Sequence, residues 1–273
     1  ILIMDEPTSS ITDREVENLY GIIRDLKMRK TGIIYISHKM EEVYTITDQI
    51  TVLRDGASIA TWNTKEATND MVVKAMVGRE LTEQYPKRKV EIGDTILELK
   101  DFTQEGVFEN ISFKLHRGEI LGLVGLVGAG RTETMQALFG ITKPDSGEVY
   151  LKGQKVEFKK PVDAIKNGLA YVTEDRKGEG LVLPMSIAHN ITLPSMKELS
   201  RKIFIKQKEE KDRVGKEITD LKVKTTSPNL AVKNLSGGNQ QKVVLAKWML
   251  KNPDVIIFDE PTRGIDVGAK QEI

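Results

Sequence analysis

Apolar and polar positions along the 273-residue chain switch between two rhythms. Runs of four apolar residues, each closed by polar ones, stand at 1–4, 33–36 and 255–258, and they predict short buried strands. Val16, Leu19, Ile22, Ile23 and Leu26 repeat at helical spacing, and further helices are predicted over 40–44, 70–77 and 132–139. Another begins after Gly238 and runs through Val243, Val244, Ala246, Lys247 and Leu250. Arg54-Asp55-Gly56 between two β-rich runs, 49–53 and 57–60, predicts a hairpin. Strands are expected at 96–100, 111–115 and 119–124, the last feeding a glycine-rich loop. A charged helical stretch is expected over 199–221, with Ile203, Phe204, Val214 and Ile218 as its apolar positions. Strands alternating with helices argue for an α/β core with a largely parallel sheet and a helical insertion around 185–250.

One apolar run recurs with its polar ending. Ile1-Leu-Ile-Met-Asp5-Glu6-Pro7-Thr8 returns as Val255-Ile-Ile-Phe-Asp259-Glu260-Pro261-Thr262, so Asp5 and Asp259 lie 254 positions apart. A repeat over that distance implies two tandem units. The expected division is 1–79 for the first, a polar linker over 80–94 with Pro86-Lys-Arg-Lys89, and 95–273 for the second. The chain starts in mid-strand without Met and stops in a helical pattern, which reads as a piece of a longer protein with both units incomplete. Charge is balanced, 41 Lys+Arg against 40 Asp+Glu, so no nucleic-acid surface or polybasic membrane anchor is indicated. The absence of cysteine excludes a disulfide framework and thiol catalysis, and suits a reducing cytoplasm. The most apolar run, 120–130, is too short and glycine-rich to span a bilayer.

Gly125-Leu-Val-Gly128-Ala-Gly130-Arg131-Thr132 has the spacing of a phosphate-binding P-loop, with Arg131 where lysine belongs. Its glycines let successive N–H groups converge on phosphate oxygens at a helix N-terminus, and Thr132 would offer its hydroxyl to Mg²⁺. The plainer reading is a glycine-rich turn between strand and helix. Asp5-Glu6 and Asp259-Glu260 end buried strands, at the mouth where open α/β sheets bind ligands. The first carboxylate of each pair suits the water shell of Mg²⁺, and the second is placed to polarise an attacking water. His38, 33 positions after Asp5, follows strand 33–36 and shares that strand-end side with Asp5 and Glu6. Leu235-Ser236-Gly237-Gly238-Asn239-Gln240-Gln241 precedes a helix that Ser236 is placed to cap. Its glycine N–H groups form an anion site, or simply a flexible entry.

Together these residues resemble the ATP-binding cassette (ABC) family over essentially the whole chain. Residues 1–7 and 255–261 look like its Walker B segments, 125–132 like a Walker A, 235–241 like its signature motif, and Ser37-His38 like its switch histidine. The arginine-bearing loop, Thr173-Glu174-Asp175-Arg176-Lys177 and Asp-Glu-Pro-Thr-Arg-Gly-Ile-Asp are similar to ATP-binding subunits of bacterial monosaccharide importers of the ribose, galactose and xylose type. The resemblance implies a P-loop NTPase fold with antiparallel β and helical subdomains, cofactors ATP and Mg²⁺, and hydrolysis that drives sugar import. The implied partners are integral-membrane permease subunits and, indirectly, an external sugar-binding protein, with the chain peripheral on the cytoplasmic side of the cell membrane. It further implies catalytic Glu6, His38 and Glu260. ATP would be bound by Gly125, Gly128, Gly130, Arg131 and Thr132, and by Ser236, Gly237, Gly238 and Gln240. Mg²⁺ would be held by Asp5, Asp259, Thr132 and Glu174, the last standing where many cassettes have glutamine. Cassettes of this family pair head to tail, so Asp5, Glu6 and His38 would share a site with Ser236, Gly237 and Gly238. Two other readings fit less well: a tandem cassette acting on ribosomes or DNA, which usually carries a long basic arm or zinc cysteines, and a non-hydrolysing regulatory cassette, which the Arg131 loop would suit but against which two intact Asp-Glu pairs argue.

Overall fold

The structure is a computed structural model that describes residues 1–8, 11–54, 56–78, 90–126, 128–201, 204–265 and 267–273. It divides into two compact units, Ile1–Pro86 with Gly264–Ile273, and Lys87–Arg263.

In the first unit, β1 (Leu2–Asp5) leads to α1 (Asp13–Met28), where Glu15 returns its carboxylate to the Thr12 N–H at 2.8 Å and closes the helix start. Next come β2 (Ile33–Ile36), α2 (Met40–Ile46), and the antiparallel pair β3 (Gln49–Arg54) and β4 (Ala57–Asn63). The unit continues with α3 (Asn69–Val77), capped by Thr68 and ended by Gly78 at φ +82°. Strands β1 and β2 pair in parallel, Leu2 opposite Ile33 through Asp5 opposite Ile36. A small core of Val43, Ile50, Val52, Ala67 and Val72 sits under the hairpin. The last helix, α10 (Val267–Glu272), packs against α3 and buries Ala269, so residues 264–273 fall in this unit, whereas the sequence division placed them in the second. The hairpin residue Asp55, the linker's 80–89 with its basic run, Ile203 and Asp266 lie outside the described residues.

The second unit opens with β5 (Thr95–Gln104), β6 (Phe108–His116), β7 (Ser146–Leu151) and β8 (Gln154–Val156), which form one antiparallel sheet in the order β6-β5-β7-β8. Between β6 and β7 stands α4 (Arg131–Leu138), and after β8 come α5 (Pro161–Lys166) and β9 (Leu169–Val172). A wide π-helical turn, Arg176–Gly180, leads into α6 (Ile187–Thr192), α7 (Met196–Leu199) and the two-residue strands β10 (Ser200–Arg201) and β11 (Phe204–Ile205). The chain then forms α8 (Gln207–Asp220), α9 (Gly237–Met249) and β12 (Val255–Phe258), and β12 pairs β9 in parallel. Leu99, Leu138, Leu169, Val172, Val243 and Val244 are almost wholly buried and belong to one core.

Two expectations fail here. Residues 119–124 form no strand: Ile120 and Val124 are 99% and 95% exposed, because a strand needs a neighbour for its N–H and C=O groups and none of the described strands is paired with this segment. A cavity of about 710 Å³ lies beside it, lined by Ile96, Phe113, Leu121, Leu123 and Ile257. The charged stretch 199–221 is also not one helix. Its first residues make the β10–β11 hairpin with Phe204 73% exposed, and only from Gln207 does the helix run, Val214 alone being fully buried on it.

Helix α9 buries an amine. Lys247 is 8% exposed, donates to the Gly180 carbonyl at 2.6 Å and lies over the Trp248 ring at 4.9 Å. Burial pushes its pKa down to about 8 from 10.5. Between those two values the unfolded chain holds the extra proton, so the stability of this unit rises with pH across the window, by about 3 kcal/mol in total. Lys247→Met is expected to remove that rise. Urea-unfolding free energies of parent and variant at pH 8 and pH 10.5 check it, and equal pH dependence in the two would refute it.

Candidate functional site

Parallel pairing decides what meets at the strand ends. In the first unit the Glu6 N–H donates to the Ile36 carbonyl at 2.9 Å, so Asp5-Glu6 and Ser37-His38 leave β1 and β2 at the same end. His38 Nδ1 lies 2.7 Å from Glu6 Oε1, with both side chains part-buried, and Asp5 is exposed beside them. Beside an ionised carboxylate, Nδ1 is the nitrogen that carries the proton and donates. The three residues singled out in the sequence are thus brought together.

In the second unit β12 likewise ends in Asp259-Glu260, beside the end of its parallel partner β9. The Asp259 N–H donates to the Val172 carbonyl at 2.9 Å, and the Tyr171 hydroxyl donates to Asp259 Oδ2 at 2.9 Å. Burial and the Asp259 charge raise the Tyr171 phenol far above its ordinary range, so it remains a donor. Glu6 and Glu260 share a further feature: both take left-handed backbone, φ +47° and +41°. That region is costly for a residue with a Cβ, and two copies holding it after the same strand point to one built turn used twice.

Around Asp259 and Glu260 the acids are met by arginines. Arg131 Nη2 stands 3.8 Å from Glu260 Oε1, and both residues line the 710 Å³ cavity. Glu174 forms an ion pair with Arg263, and the Arg176 guanidinium donates to the Arg263 carbonyl at 2.7 Å. In the glycine-rich loop, Gly128 and Gly130 both take φ +80°, and Gly130 starts α4 with Thr132 in its first turn. A Cβ on Gly130 would stand 2.9 Å from the Val107 carbonyl oxygen and 3.1 Å from the Phe108 Cβ, a gap that only hydrogen fills. At Gly125 it would stand 3.0 Å from the Ala129 Cβ.

Ser236 occupies the position before α9, yet its hydroxyl accepts from the Asn239 side chain at 3.0 Å and caps no backbone N–H, contrary to expectation. Gly237 and Gly238 form the first turn of α9. Gln240 is a correction. It is 5% exposed, and its amide donates to the carbonyls of Leu235 (3.2 Å) and Val232 (3.4 Å), so its side chain braces the loop from beneath and is not presented to a ligand.

Sequence reasoning missed Glu42, Tyr171 and Arg263. Tyr171 was findable, because Leu-Ala-Tyr-Val at 169–172 is another four-residue apolar run ending before Thr173-Glu174. Among the described residues no group of three or more His, Cys, Asp or Glu converges as a metal cluster. The exposed carboxylate of Asp5, and the Oδ1 atom of Asp259, instead fit an ion that keeps most of its water and takes few protein ligands.

A family model described as ABC transporter matches residues 108–263, which hold the glycine-rich loop, Glu174, the 235–241 motif and Asp259-Glu260. The chain belongs to the ABC transporter family. It is 52% identical over its whole length to the ribose import ATP-binding protein RbsA of Bacillus licheniformis, of which it covers 55%. Identity to the proteins of the same name from Oceanobacillus iheyensis and Bacillus subtilis is 53% and 51%, again over the whole chain and 55% of each relative. The chain therefore spans about half the length of the curated relatives it matches. Among solved structures, a nucleotide-free ATP-binding cassette from an ABC transporter aligns at a TM-score of 0.56 and 20% identity, over 66% of this chain and 74% of that one. A dimeric ATP-binding cassette bound to ADP and Pi aligns at 0.55 and 21% identity, over 65% and 79%. The fold is that of an ABC ATPase cassette.

Gly130→Ala is expected to lower the stability of the second unit by about 1–3 kcal/mol, from left-handed strain plus the clash with Val107. Gly153, also left-handed at φ +77° but with open space around it, supplies the control: Gly153→Ala carries strain alone and should cost less. Denaturant midpoints of the two variants check the ranking, and equal losses would show that close approach contributes nothing.

Proposed function

We propose that the full-length protein binds and hydrolyses ATP to drive import of a simple sugar through a membrane permease. The observation that carries this reading is the Glu6–His38 contact at 2.7 Å, closing two parallel strands in a chain of the ABC transporter family. The relatives' name, ribose import ATP-binding protein, supports ribose as the sugar. It also supports membrane permease subunits as partners, an external ribose-binding protein upstream of them, and a peripheral place on the cytoplasmic face of the membrane. No described helix is long and apolar enough to cross a membrane.

Catalysis of phosphoryl transfer to water is mainly positioning and charge stabilisation. Glu6 is placed to orient the attacking water, and its bond to His38 Nδ1 fixes the orientation of the imidazole ring beside it. Asp5, and in the second unit Asp259 with Thr132, would hold Mg²⁺, which supplies neutralisation of phosphate charge. In the second unit the acids stand against guanidinium groups. Arg131 sits against Glu260 and Arg263 against Glu174, so the water-orienting carboxylate and a metal-ligand candidate are both occupied by guanidinium groups. A guanidinium is also planar and bidentate where the P-loop lysine is a compact point charge. The second unit is therefore read as holding nucleotide with little turnover.

With the full-length protein and its permease in vesicles, Glu6→Gln should retain ATP binding and slow ATP hydrolysis by roughly 10²–10⁴-fold, the usual worth of a positioned acid–base group. Parental turnover in that variant would refute the role of Glu6. Glu260→Gln should cost far less in the same assay, and equal losses from the two would refute the inequality of the sites. Ribose-loaded binding protein should stimulate hydrolysis, and failure of ribose but not of another sugar would reassign the cargo.

A further inference from the structure

Glu42 is a buried charge that neither the strand ends nor the family match accounts for. It lies in the first turn of α2, 5% exposed, and four donors converge on its carboxylate. Thr8 Oγ1 donates to Oε1, and Lys39 Nζ forms an ion pair with the same oxygen at 3.1 Å. Oε2 accepts from the Tyr35 hydroxyl at 2.8 Å and from Ser37 Oγ at 3.1 Å. Burial alone would raise the Glu42 carboxyl, but these bonds from Thr8, Tyr35, Lys39 and Ser37 outweigh it and hold the pKa below the usual carboxylate range.

The donors are not scattered. Thr8, 2% exposed, is two residues beyond Glu6 on the turn that leaves β1. Ser37 is one residue before His38 on the turn that leaves β2, and Tyr35 lies within β2. Lys39, one residue past His38, closes the ring by donating to the Thr8 carbonyl at 3.3 Å and to Thr8 Oγ1 at 3.2 Å. The two turns that carry Glu6 and His38 are therefore tied to each other through one carboxylate. The Glu6–His38 contact spans the same two turns. A buried carboxylate satisfied by four donors is costly to disturb, because three of them, Thr8, Tyr35 and Ser37, are themselves buried or part-buried.

We propose that Glu42 is a positioning residue for hydrolysis: it sets the separation of the β1 and β2 turns and so holds Glu6 and His38 in hydrogen-bond register. The proposal rests on the catalytic reading of Glu6 and His38 given above. It predicts that turnover depends on Glu42 only through that register. Glu42→Gln keeps the shape of the side chain but leaves one acceptor oxygen where two were, and adds an amide donor facing four others.

The test uses the full-length protein assembled with its permease, and reads kcat and KM for ATP in the parent, Glu42→Gln, His38→Ala and the double variant. Glu42→Gln should lower kcat roughly tenfold with KM within about twofold, since misplacing a catalytic pair costs the transition state and not binding. In the His38→Ala background the same change should lower kcat by less than about twofold, because the register it protects is already gone. A general loss of folding would instead lower active enzyme equally in both backgrounds, and an equal factor in the two overturns the proposal. So does parental kcat in Glu42→Gln, or an effect confined to KM. Should Glu42→Gln fail to fold, Tyr35→Phe removes one donor without altering charge; a fall in kcat at unchanged KM supports the proposal and parental kcat overturns it. If His38→Ala itself turns over at the parental rate, the catalytic reading of the pair has failed, which is distinguishable from failure of Glu42's role alone.

Discussion

A β-strand exists only beside another one. Every N–H and C=O along an apolar run must find a partner, and where a parallel neighbour is present the ends of the two strands become a fixed platform. The pairs β1–β2 and β9–β12 have that neighbour, and each delivers an Asp-Glu turn to the same end as the turn of its partner strand. Residues 119–124 lack it and form no strand, although Ile120, Leu121, Leu123 and Val124 are apolar. The placement of Glu6, His38, Asp259 and Glu260 is thus a consequence of ladder pairing, with side-chain chemistry added afterwards.

Each platform sets its glutamate against another side chain. At the first copy the glutamate meets a histidine, and the pair rests on a buried carboxylate ringed by hydroxyls and one amine. At the second copy the glutamate meets Arg131, and Glu174 meets Arg263. The same backbone turn, left-handed in both, carries the glutamate at each copy.

Much of this was legible from residues. Runs such as Ile33–Ile36 and Val255–Phe258 announce strands because four apolar residues bounded by polar ones fit nothing else of that length, and parallel pairing then puts Asp5, Glu6 and His38 together. The failures have physical causes. Periodicity reports what a segment prefers, and so it marked 119–124 as a strand without regard to whether a partner stands beside it. It also carried the helix of α8 back through Phe204, where a two-residue hairpin forms. Buried charge was invisible for a related reason: nothing in Met-Glu-Glu-Val or Ala-Lys-Trp marks Glu42 or Lys247 as buried, and only packing shows that each is enclosed and bonded.

The left-handed turn at Glu6 and Glu260 separates chemistry from comfort. Asparagine and glycine tolerate that backbone more readily than glutamate does, so the residues most suited to the local conformation are ones that carry no carboxylate. A substitution to glutamine leaves the backbone strain in place and removes only the charge, whereas one to asparagine or glycine would relax the turn as well. Substitutions at Glu6 or Glu260 therefore come in two kinds, one as strained as the parent and one with the turn relaxed, and only the first isolates what the carboxylate contributes.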